Sequence, residues 1–252
     1  DASLELSDNF TIELDAWVDT TSDANKNIVY KQDAFKTYVA ADTNITSEII
    51  QSTTVTFYPD PNVESSSVDG WARDTGNSVV WATLVAKPGN DADDSDASEY
   101  IVWIQSKSTT DKWDDLRRGI YLFDTNSIPD DVTIVSATFS VRGSAKGDNF
   151  SPAIAPNINV YSSNPASNTS SVAGDFNSLG STAFCDTPIT YASWSTTGYN
   201  NFALNSSGLA AIDKTGVTKL GLRNANYDVT GNSPTWSASG AAYLSGYFAD
   251  QA

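Results

Sequence analysis

An all-β fold, a jelly-roll-type β-sandwich with an N-terminal β-rich extension, is the class this sequence predicts, on three observations. Residues 135–142 alternate strictly: Val135, Ala137, Phe139 and Val141 share one face, with Ser136, Thr138, Ser140 and Arg142 on the other. That period of two belongs to a strand with one face on a core and one in water. Strand-like runs then recur along the chain, separated by Asn, Asp, Ser, Gly and Pro, residues that bend the backbone cheaply. Helical spacing is convincing only at 206–213, where Leu209 and Ile212 lie three apart.

The elements follow in order. FTIELDAWV places Phe10, Ile12, Leu14, Ala16 and Val18 on one face of a first strand, and shorter strands are expected at 28–31, 36–40 and 45–50. Residues 1–52 form the extension, because so few strands cannot close a two-sheet core. Their apolar faces need cover from residues 53–252 or from another chain. In 53–252, strands are expected at 55–58, 79–86, 100–105, 119–123 and 133–142. Further strands are expected at 157–161, 189–194, 201–204, 217–223 and 242–248. The 124–131 segment, DTNSIPDD, is the turn between two of them, and 143–156 and 162–180 read as long loops. The count of strands and the single helical turn argue for a sandwich.

The stretch RRGIYLFDTNSIPDDVTIVSATFSVRGS, from Arg117 to Ser144, resembles the central signature of DNRLRE-type domains, extracellular β-sandwiches related to carbohydrate-binding modules. Arg118, Phe123, Asp124, Ile128, Pro129, Ser136, Ala137 and Thr138 carry the likeness, and ITYASW, NNFALN and KLGLRN resemble that family's later strands. The likeness spans roughly residues 53–248. Residues 1–50 resemble the opening strands of laminin-G-like sandwiches found in tail proteins of bacterial viruses. Together these likenesses imply a virion-surface or extracellular protein that contacts glycans or a cell-surface polysaccharide. DNRLRE-like domains finish with one more strand, which would begin where this chain stops. The resemblance therefore implies an edge slot beside 242–248, filled by residues beyond the chain, by the N-terminal segment, or by another copy through strand exchange.

Composition narrows the function. Acidic residues outnumber basic ones, 31 to 14, for a net charge of −17. Nucleic-acid binding through phosphates needs clustered Lys and Arg, so it is disfavoured. The same charge opposes anionic membranes, and no apolar run is long enough for membrane insertion. The chain opens at Asp1 and contains no Met, which reads as a processed, trimmed or partly observed product. Its single Cys185 cannot close an internal disulfide and is expected in the core. With no His there is no Ser-His-Asp or Cys-His arrangement, and zinc loses its commonest ligand. Carboxylate pairs such as Glu64 and Glu99 could serve glycoside hydrolysis only if the fold brought them together. A non-catalytic protein is the expectation.

Two kinds of site remain. The loop GNDADDSD gathers Asp91, Asp93 and Asp96, whose carboxylates, with oxygens of Asn90 or Ser95, could converge on calcium. It lacks the central Gly and closing Glu of an EF-hand, and a solvated acidic turn is the competing reading. Asp111, Asp114 and Asp115 form a second such group. For glycans, aromatic faces matter. Trp113 in TTDKWDD and Trp71 in DGWARD are expected to be exposed, and Trp236 in SPTWSASG is expected near a loop tip. Trp81 and Trp103 sit within apolar runs and are expected in the core.

Overall fold

The computed structural model describes the backbone of residues 9–18 and 49–251 and the side chains of 53–251. The expected strands at 28–31 and 36–40 lie outside the described residues, as does most of 45–50. Among the described residues there are eleven strands: β1 (Asn9–Val18), β2 (Ile49–Phe57), β3 (Asp69–Asp74), β4 (Asp91–Asp93), β5 (Ser98–Ser106), β6 (Trp113–Asp124), β7 (Thr133–Asp148), β8 (Ile158–Ser162), β9 (Tyr199–Ala203), β10 (Val217–Asn224) and β11 (Ala241–Tyr247). Two short helices, α1 (Trp81–Val85) and α2 (Ser206–Ala210), and a 3-10 turn (Ala173–Asn177) complete the described residues. The fold is all-β, and its strand pairs are antiparallel.

The strand order is β2-β1-β7-β11-β5-β6-β10-β8, with β3 on β6, β4 on β3 and β9 on β7. Residues 116–117 of β6 pair with both β3 and β5, and residues 119–121 with both β3 and β10. A strand has two edges, so β3 lines one of them while β5 and β10 share the other. Side chains of β6 are buried on both faces, as expected of a central strand. Leu116, Ile120 and Leu122 enter one core with Trp81, Leu84, Trp113, Phe150 and Phe176. Tyr121 and Phe123 enter the other with Phe139, Phe184, Trp194, Phe202, Leu220 and Leu222. Each large apolar side chain so enclosed stabilises the fold by about 2–3 kcal/mol.

β7 joins the two parts of the sheet system. Thr133–Ser140 pairs with β1 and Gly143–Asp148 pairs with β11. The Gly143 position permits the crossing: a Cβ there would lie 1.9 Å from the Ser195 carbonyl oxygen. The N-terminal extension is thus hydrogen-bonded into the same sheet system through β1. The expected open slot beside the last strand is closed within the chain, since β11 runs between β5 and β7.

Several expectations are corrected. The 79–86 run is not a strand; its centre is α1, which turns Trp81 and Leu84 into the second core. Residues 189–194 make a single bridge, Ile158 to Ile189, and then a turn. The first part of the expected 143–156 loop is the end of β7. β4 stands where a loop was expected, and β3 where no strand was expected. Cys185 is buried as expected, and burial pushes its thiol up to about 12.

Candidate ligand-binding face

Register alone assembles the site. Asp91 on β4 opposes Arg73 on β3, Arg73 opposes Arg117 on β6, Arg117 opposes Trp103 on β5, Trp103 opposes Tyr243 on β11, and Tyr243 opposes Gly147 on β7. Directly opposed residues of antiparallel strands share a face, so one row crosses six strands. At strand spacings of about 4.8 Å the row extends about 24 Å.

One half of the row is aromatic. The Trp103 and Tyr243 rings stack with centroids 5.4 Å apart and planes 15° apart. Tyr100 packs on both, at 4.4 Å from Trp103 and 4.6 Å from Tyr243. A register shift between Leu244 and Ser245 adds one residue to β5 and lets Tyr100 join Trp103. Gly147 supplies the seat: a Cβ there would stand 2.6 Å from the Tyr243 ring. All three rings are half-buried, while Ile101, Val102 and Ile104 between and beside them are buried.

The other half is charged, with Arg117 and Asp115 enclosed and the Arg73–Asp91 pair nearer the surface. Arg73 binds Asp91 through Nη2 at 2.7 Å and Nε at 2.8 Å, and Nη1 reaches Asp115 at 3.5 Å. Arg117 lies with its guanidinium 3.8 Å from the centroid of Trp71 and pairs with Glu99 at 3.5 Å. Burial pushes the Asp115 carboxyl up to about 6, although a Thr75 hydrogen bond, Arg73 and Arg117 all pull it down. Burial also lowers Arg117, against the pull of Glu99. Arg117 Nε and Asp115 Oδ1 are buried without a hydrogen-bond partner.

The expected site residues fall in different places. Trp71 is buried at 5 % exposure, on strand β3 rather than a loop, with its face under Arg117. Trp113 is not exposed; at 1 % exposure it lies between Trp81 and Phe150, at 4.9 and 5.8 Å, so both expectations of exposure are corrected. Their neighbours Asp, Arg and Gly suggested loops, but antiparallel pairing on both sides draws these tryptophans inward. Trp236 is half-buried against the second core, with its Nε1 enclosed and without a partner. Trp103, expected in the core, is half-exposed on the platform.

Asp91, Asp93 and Asp96, the residues expected to converge on calcium, each have a different partner. Asp91 pairs with Arg73, Asp93 accepts from the Ser95 amide at 2.8 Å, and Asp96 accepts from Trp71 Nε1 at 3.3 Å. Among the described residues no group of three or more His, Cys, Asp or Glu is placed to hold a metal. Asp114 is likewise taken by Lys107 at 2.8 Å. Glu64 neighbours Asp60, Asp94 and Asp250, whereas Glu99 serves Arg117, so the pair considered for hydrolysis faces different partners.

Tyr100 and Tyr243 were not singled out as ligand residues from the sequence. The available signal was alternation: Ala242 and Leu244 flank Tyr243, just as Val102 and Ile104 flank Trp103, leaving the aromatics on the face opposite to the small apolar residues.

No family model, curated protein or solved structure matches this chain, so the DNRLRE-like and laminin-G-like resemblances rest on the residues quoted for them.

Proposed function

We propose that the protein is a non-catalytic contact module, on an extracellular or virion surface, that binds glycan through the Tyr100–Trp103–Tyr243 platform. The observation that carries this reading is the half-buried aromatic trio on a sheet, in which Trp103 and Tyr243 stack and Tyr100 packs tilted against both. Pyranose rings present apolar C–H faces, and aromatic side chains fixed by strand pairing meet them at little entropic cost. Tyr hydroxyls and the neighbouring Gln105 offer hydrogen bonds to sugar hydroxyls at the platform's edge. The groove lined by Val55, Phe57, Ile128, Pro129 and Val132, about 300 Å³, has only Thr53 and Ser127 as polar lining and offers no acid–base pair.

A glycan array on the parent, followed by calorimetry on Trp103→Ala and Tyr243→Ala, tests the reading. Each variant is expected to weaken binding about tenfold, the loss of roughly 1.4 kcal/mol of contact energy. A parent that binds no glycan, or variants that bind as well as the parent, would sink it.

A second reading has one observation in its favour. β2 stands at the end of the strand order and, among the described residues, pairs only with β1. An edge strand of that kind suits a structural subunit that assembles by strand exchange. Solution mass that rises with protein concentration favours assembly; a constant monomer mass counts against it.

A further inference from the structure

We infer that the platform takes an uncharged, hydroxyl-rich saccharide and turns away chains bearing carboxylate or sulfate. This rests on the glycan-binding reading and deepens it. Recognition of an anionic sugar needs a cation with donors to spare, ideally a guanidinium that can grip two oxygens at once. Among the described residues two cations stand in the row with the aromatic trio, Arg73 and Arg117, and a third, Lys146, precedes Gly147 on β7 and opposes Leu244, on the face away from the rings.

Each of the three is already engaged. Arg73 is gripped by Asp91 through two nitrogens and reaches Asp115 with a third. Arg117 is covered by its own neighbours; its side chain is 4 % exposed, its Nη1 donates to the Tyr100 carbonyl at 3.3 Å, and one face lies on Trp71. Its Nε is free of partners but enclosed, so a ligand on the platform does not reach it. Lys146 Nζ donates to the carbonyls of Tyr191, Ala192 and Trp194 at 2.9, 3.0 and 3.0 Å, which uses the three hydrogens of an ammonium.

Charge around the row points the same way. Asp91, Asp96, Glu99 and Asp115 surround the two guanidiniums, and the molecule as a whole carries −17. An incoming carboxylate would meet like charge, and the cations of the row, Arg73 and Arg117, are already engaged by carboxylates. Hydroxyl groups, by contrast, can donate to the Glu99 carboxylate, whose side chain is 28 % exposed, and to the oxygen of the half-buried Gln105.

The test uses oligomers of glucose, galactose and mannose beside their C6-oxidised counterparts, titrated into the full chain at low and at physiological salt. Neutral oligomers are expected to bind, with the matching uronates at least about tenfold weaker at low salt. That gap should narrow as salt screens the repulsion. Asp91→Asn loosens Arg73 and is expected to bring the uronates several-fold closer to the neutral chains. Uronates that bind as tightly as neutral oligomers, in a manner abolished by Trp103→Ala, would overturn the charge inference and leave the platform standing. Failure of both kinds to bind would overturn the platform together with this inference.

Discussion

Asp228 shows what a single buried carboxylate does here. It accepts from Arg118 Nε and Nη2 at 2.9 and 2.6 Å, and from Arg223 Nε and Nη2 at 2.8 Å each. Arg118 goes on to the carbonyls of Phe176 and Val85, and Arg223 to that of Gly180, so one anion ties β6 and β10 to α1 and the loop beyond the 3-10 turn. Burial alone would raise the Asp228 carboxyl, but the two guanidiniums, Arg118 foremost, hold it below the ordinary carboxylate range. Asp228→Asn leaves two enclosed cations without a counter-charge and is expected to cost about 3–5 kcal/mol in urea unfolding. Asp91→Asn, at a pair that is 28 % and 41 % exposed, should cost under about 1 kcal/mol. Equal losses from the two would show that the buried triad is no stronger than a surface pair. This contrast was hidden in the sequence: Arg118 was visible in a signature, but its partner lies 110 residues away.

At the scale of elements, β7 and α2 make the sharpest demands on particular residues. Gly143→Ala would drive a Cβ into backbone, the Ser195 carbonyl oxygen, which cannot rotate aside as a side chain would. Loss of about 2–4 kcal/mol is expected, since either β7 or the 195–198 turn must move. Thermal unfolding within a degree or so of the parent would show that the crossing tolerates a side chain. Asn205 caps α2 by accepting from the amides of Ser207 and Gly208 at 3.0 and 3.1 Å, and donates to the Ala183 carbonyl. Asn205→Ala should cost about 1–2 kcal/mol, measured by the same melt, and no change would mean the cap is dispensable. Elements with clean alternation, such as the first part of β7, were legible because period and partner agree. β3 was not, since Asp69, Gly70, Arg73 and Asp74 read as turn residues until β4 and β6 flank them. α1 was misread because Val79, Val80 and Val85 favour strands, and five residues are too few to display helical periodicity. The platform lay in segments correctly read as strands; which face stays open depends on how the strands associate, a matter no single strand reveals.

Over the whole molecule, pH and charge act through carboxyls whose affinities move in opposite directions. Burial raises Glu64, Asp69, Asp96, Asp115 and Asp250, and Asp115 reaches about 6. Glu64, Asp69 and Asp250 also feel one another's charge near the chain's C-terminal segment, where Asp69 accepts from the Ala249 amide at 2.9 Å. A carboxyl raised in the folded state binds its proton more tightly folded than unfolded. Its stabilising effect is complete below the unfolded value, about 4, and disappears as pH rises through the folded value. Asp115 alone can thus remove up to about 3 kcal/mol between pH 4 and pH 7, at about 1.4 kcal/mol per pKa unit. Asp228 and Asp60, the latter about 2 through Ser65 and Ser66 hydrogen bonds that outweigh burial, have the opposite sign and lose their contribution only in stronger acid. The balance places maximum stability on the acid side of neutrality, about pH 4–5, and the net charge of −17 adds self-repulsion at higher pH with the same sign. Urea midpoints at pH 4.5, 6.0 and 7.5 should fall in that order. Asp115→Asn should flatten the step between pH 4.5 and 6.0. Added salt at pH 7.5 should recover the self-repulsive share and leave the Asp115 share intact, because screening acts on exposed charges far more than on enclosed ones. Midpoints that climb steadily from pH 4.5 to 7.5 would mean that the ion pairs, not the enclosed carboxyls, govern the acid range.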